Sequence, residues 1–231
     1  MKNQQGKLFH GKTRRNISLA VPLFVWALAV AAPGVASADV MFTNFGAGHS
    51  YDVSSGNPVG FAFDANNYAE GVSFKPAVTE KLGSISLALS CFFSCPDDFT
   101  VDLTADAGAQ PGAVIESFTL SGAALGSLGS NNPPVTAKSV LFPLLTAGTA
   151  YWITTSSPLD NSITWNFNST GDTSPEAIST DAGATWFSPS GFTPGALEVD
   201  SAPEPAAGLL LGSIVAALFL RKRLSGLAGR R

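Results

Sequence analysis

Histidine is scarce in this chain: there are 2 in 231 residues, and only His49 lies beyond the first 38. A Ser-His-Asp or Cys-His catalytic arrangement would have to be built on that single ring. His49 sits in Gly46-Ala47-Gly48-His49-Ser50, a loop sequence, and reads as a surface residue. Cysteine is equally scarce, with Cys91 and Cys95 the only two. A metal centre would need more ligands than these supply. Cations are nearly missing from the middle of the chain. Of 13 Lys+Arg, five precede Ala38 and five follow Leu220, leaving only Lys75, Lys81 and Lys138 between. All 17 Asp+Glu fall between Asp39 and Glu204, so that stretch carries −14 while the whole chain carries −4. So acidic a body repels phosphate backbones, which excludes nucleic acid as a partner. Helical periodicity is missing as well, and no internal repeat points to a solenoid or propeller.

Two apolar ends bracket the acidic middle. Residues 1–16 carry Lys2, Lys7, Lys12, Arg14 and Arg15 and no acid; an apolar stretch runs from Ile17 to Pro33, and Ala36-Ser37-Ala38 precedes Asp39. This is the pattern of a secretory signal peptide over 1–38, helical before cleavage by signal peptidase. At the other end, Pro203-Glu204-Pro205 leads into an uncharged run from Ala206 to Leu220, followed by Arg221-Lys222-Arg223. Fifteen residues span roughly 22 Å as a helix, a thin transmembrane segment that flanking cations extend by snorkelling. Both basic ends fit the cytoplasmic side and the acidic body the outside.

Between them, residues 39–200 suffice for one domain with a full core. Short alternating segments separated by Gly, Pro, Asn and Asp predict strands. In Ser84–Ser90, Ile85, Leu87 and Leu89 share one face, and the serines and Ala88 face out. Phe99, Val101 and Leu103 repeat the pattern, and Cys91–Asp98 between the two reads as a hairpin connection. Ile163, Trp165 and Phe167 mark a half-buried strand. Further strands are expected at Gly60–Asp64, Gly71–Phe74, Val114–Leu120, Lys138–Leu144, Ala150–Ser156, Glu176–Thr180, Thr185–Ser188 and Ala196–Val199. Glu116 interrupts the apolar face of its strand. About ten short strands predict an all-β, single β-sandwich of jelly-roll-like type.

The tail, over Ala202 to Arg223, resembles the PEP-CTERM sorting signal of Gram-negative bacteria, carried here by Pro203, Glu204 and Pro205, the short apolar run and the basic end. The resemblance implies processing of segment 201–231 by an exosortase and release to the outer surface or an exopolysaccharide matrix. The body resembles the choice-of-anchor R family of bacterial surface domains. Phe42-Thr43-Asn44-Phe45-Gly46, the Asp106–Glu116 stretch, the Leu145–Ile153 stretch and Ser179–Trp186 carry that likeness in order. It implies no activity and no functional residues.

Ser179, Asp181, Gly183, Thr185 and Trp186 match the Asp-box pattern, a hairpin device in which Asp binds backbone amides, Gly turns the chain and Trp packs beneath. Cys91 and Cys95 are expected to pair in an oxidising compartment. Four residues of extended strand would hold them about 13 Å apart, so pairing demands a turn. Acids at Asp97, Asp98, Asp102 and Asp106 admit glycoside hydrolysis in principle, though on turns and outward positions they read as solvated. The Asp102…Asp106-x-Gly108 stretch offers calcium the right atoms, but its spacing matches no known loop. Trp152 is left open as a sugar-stacking residue, while Trp165 and Trp186 read as packing.

The sequence therefore points to an exported, non-enzymatic surface or matrix protein with a structural or adhesive role. It is held transiently in the inner membrane and needs no cofactor. A carbohydrate-binding module of the exopolysaccharide layer is the alternative, and a glycan hydrolase the remote third.

Overall fold

The computed structural model describes residues 38–61 and 66–203, with side chains throughout except at Phe61. The expected signal peptide, Glu204, Pro205, the apolar run and Asp64 lie outside the described residues. What is described is all-β. Two antiparallel sheets enclose one apolar core.

The smaller sheet has the order β1 (Val40–Thr43), β13 (Leu197–Ser201), β4 (Glu80–Leu87), β8 (Val135–Lys138), with the two-residue β9 (Leu144–Leu145) beside the start of β4. The larger has the order β5 (Leu89–Cys91), β11 (Ser162–Asn168), β2 (Tyr51–Phe61), β3 (Asn67–Phe74), β10 (Tyr151–Ser156), β6 (Asp98–Asp106), β7 (Pro111–Ser121). Strand β12 (Glu176–Ser179) joins it along β3. Met41, Leu82, Ile85, Leu87, Leu197 and Val199 line the core from one sheet. Val59, Val72, Phe74, Phe99, Val101, Leu103, Ile153 and Trp165 line it from the other. The inward sets follow the period-two alternation of their strands, except that a register shift sets Leu82 three residues before Ile85.

Several expectations need correction. Ser84–Ser90 is not one strand. It crosses between sheets at Ala88, so Ser84–Leu87 pairs with β13 and Leu89–Cys91 pairs with β11. Cys91–Asp98 is consequently no hairpin turn, because β6 pairs with β7 and β10 rather than with β5. Ala88 and Ser90, expected outside, are buried. Ala88 packs with Phe45, Tyr51 and Ala196, and Ser90 donates to Asn166 at 2.7 Å. Strand β11 is covered on both faces, with Thr164, Asn166 and Asn168 buried alongside Trp165.

The segment expected as a strand over Lys138–Leu144 is mostly a loop, and Thr185–Ser188 keeps only a single bridge, Ile178 to Phe187. The longest surprise is β2. The strand expected from Gly60 begins at Tyr51, and Gly56-Asn57-Pro58 runs extended against β11. Pro58 is tolerated because β2 pairs with β3 only at Gly60 and Phe61, so its missing N–H leaves no ladder bond unmade there.

Candidate functional site

Three places gather chemistry, and the first was not foreseen. Glu70 on β3, Glu176 at the start of β12 and Asn57 on β2 meet on the core side of the larger sheet, all buried. They converge because β2 leaves the edge of β3 after Tyr68 and β12 takes that edge over. The Asn57 amide donates to Glu70 at 3.1 Å and also to Glu176. Burial pushes the Glu70 carboxyl well above the usual carboxylate range; the neighbouring Glu176 carboxyl raises it further, and Asn57 opposes. Burial raises Glu176 too. Two carboxylates in a dry interior cannot both stay charged, so the pair retains a proton. Glu70 Oε2, Glu176 Oε2 and the hydroxyl of Thr155, the cross-strand neighbour of Glu70, have no partner. Solvent scarcely reaches either carboxyl, at 1% and 2% exposure, so no polymer chain can approach them. One signal was present in the sequence: Glu70 shares its strand face with Val72 and Phe74.

The second place is the Asp181 loop. Ser179 Oγ donates to Asp181 at 2.7 Å, and the Asp181 carboxylate accepts from the Thr185 amide (2.8 Å) and hydroxyl (2.7 Å). The Gly183 amide donates to Ser179 Oγ at 2.8 Å, and Gly183 adopts φ 90°. The Trp186 ring lies against the open face of Gly183. Donation from Thr185, then from Ser179, lowers the Asp181 pKa to about 2.

The third is the Cys91–Cys95 disulfide, with Cα atoms 5.9 Å apart. Its loop carries Phe92 and Phe93, 42% and 69% exposed, with ring centroids 4.0 Å apart.

Other sequence candidates separate. Trp152 is fully buried and its indole donates to Asp106 at 2.8 Å, so it cannot stack on a sugar. Trp165 is buried too and donates to the Ala196 carbonyl at 3.0 Å. Asp106 also accepts from the Gly108 and Ala109 amides, which commits its carboxylate to a turn. Four residues along β6 place Asp102 about 13 Å away, so the two do not converge on one ion. His49 contacts Glu198 at 3.1 Å and the Phe45 ring. Among the described residues no group of three or more His, Cys, Asp or Glu converges as a metal site. Pro203 is the last described residue, and Pro203, Phe142 and Leu144 line one open groove. No family model, no curated protein and no solved structure matches this chain.

Proposed function

We propose that the chain is an exported bacterial surface or matrix protein whose jelly-roll-like β-sandwich serves a structural or adhesive role without catalysis. Its tail anchors it in the inner membrane until an exosortase-type protease acts at Pro203-Glu204-Pro205. The observation that carries this reading is the charge partition: −14 between two apolar, cation-tipped ends. A disulfide in place at Cys91 and Cys95 supports an oxidising compartment. The sealed Glu70–Glu176 pair argues against its use in glycan hydrolysis, since a substrate must touch its acids. The test is localisation of tagged protein in cells with and without the exosortase. Surface or matrix location that needs the protease supports the reading, and cytosolic protein in both contradicts it.

A carbohydrate-binding role is favoured by one feature, the exposed Phe92–Phe93 pair on a stapled loop. Saturable binding to a polysaccharide array, lost in Phe93→Ala but kept in Phe187→Ala, would support it.

A further inference from the structure

One end of the fold carries a ridge of exposed apolar side chains. Val140, Leu141, Phe142 and Leu144 are 75%, 66%, 46% and 61% exposed, and Val78, 40% exposed, precedes Thr79, which lines a groove with Phe142 and Leu144. The ridge is built rather than slack. The buried Glu116 carboxylate reaches out from β7 and accepts from Ser139 Oγ (2.7 Å) and the amides of Val140 (2.8 Å) and Leu141 (3.0 Å). Phe142 is held at φ 49°, a costly conformation for an aromatic residue, with its amide on Ser139 Oγ at 2.9 Å. The chain therefore fixes three consecutive apolar side chains in water.

Both ends of the domain leave beside this ridge. The Asp39 amide bonds Ser201 Oγ and the Ser201 amide bonds the Asp39 carbonyl, each at 2.8 Å. The Ala202 amide then bonds the Lys81 carbonyl at 2.7 Å. Pro203 lines the groove with Phe142 and Leu144, and three residues later the apolar run begins at Ala206. Three residues reach at most about 10 Å. If the run enters a bilayer, the ridge is held at the bilayer surface. The only three lysines of the body adjoin it. Lys81 lines the groove, Lys138 precedes Ser139, and Lys75 begins the segment whose Pro76 and Thr79 bond the 147–148 turn after β9. All three are exposed; Glu80 lines the groove with Lys81, and Lys75 lies close enough to Asp106 to lower its pKa.

We propose that the 140–144 ridge is a second membrane contact, dipping its apolar side chains into an anionic lipid interface while Lys75, Lys81 and Lys138 meet the headgroups. This rests on the reading of the tail as a membrane anchor. The test uses the full chain, disulfide intact, in phosphatidylcholine–phosphatidylglycerol vesicles. An environment-sensitive fluorophore is attached at Leu141→Cys, at Val140→Cys should the first variant misfold, and at Leu159→Cys on the β10–β11 turn as control. The expected result is flotation with vesicles in all cases, with a blue shift and quenching by brominated acyl chains at 141 only. Flotation with a label at 141 quenched by aqueous iodide as readily as at 159 overturns the ridge but spares the anchor. Shielding from both quenchers means that protein covers the ridge, and overturns it too. Failure to float removes the anchor, and the ridge contact with it.

Discussion

Glu70 and Glu176 contribute to the pH response of the domain. Their carboxyls keep a proton in the folded state that each loses near 4.5 when unfolded. The folded form thus binds more protons above that value, and stability falls as pH rises through the raised pKa. Glu70→Gln keeps the carbonyl that accepts from Asn57 and removes the charge problem. It should flatten the pH dependence above 5 and stabilise the domain by about 1–3 kcal/mol at pH 8. Chemical denaturation at pH 5 and pH 8 checks this; an unchanged slope would contradict it. Asp181 has the opposite sign. Its pKa is depressed to about 2, so its contribution is complete above the ordinary 3.8 and is lost as pH falls through 2. Asp181→Ala should lower the melting temperature at pH 7, with the difference from the parent chain shrinking toward pH 2 in a calorimetric pH series.

At the scale of elements, the Cys91–Cys95 staple closes a small loop next to the point where the chain crosses between sheets at Ala88. The double Cys→Ser variant should lose about 2 kcal/mol, read from the urea midpoint, since so short a loop removes little entropy from the unfolded chain. Glu116 on β7 organises the ridge loop. Glu116→Ala leaves one hydroxyl and two amides without their acceptor and should cost about 2–3 kcal/mol. Faster hydrogen exchange at Val140 and Leu141 is the accompanying signature, and unchanged exchange there would contradict the role.

These elements also show what was legible. The alternation of Ile85 with Leu87 and of Phe99 with Val101 and Leu103 named core faces correctly, because burial on one face is a local signal. The crossing at Ala88 was not legible, since nothing in an alternating run says which sheet each half joins. Strand β2 was expected only from Gly60; its earlier part was missed because its buried face includes the polar Asn57, whose partners lie 13 and 119 residues away. Lys138–Leu144 is apolar like a strand, yet Glu116 holds most of it as an exposed loop. Trp152 was left open because alternation does not say that the outer face of β10 is covered too.

At the scale of the whole molecule, the domain has two distinguishable ends. Asp39, Ser201 and the 140–144 ridge share one, while Asn161, after β10, bonds Asp97 beside the Cys91–Cys95 loop at the other. This polarity suits a protein tethered at one end and exposed at the other. Export of the acidic middle from between two apolar ends is the claim on which the rest depends. Intact-mass measurement of the protein isolated from its native cells addresses it most directly. A polypeptide beginning at Asp39, ending near Pro203 and lacking two hydrogens at Cys91 and Cys95 is the predicted result. A cytosolic species running from Met1 to Arg231 with both thiols free would contradict it.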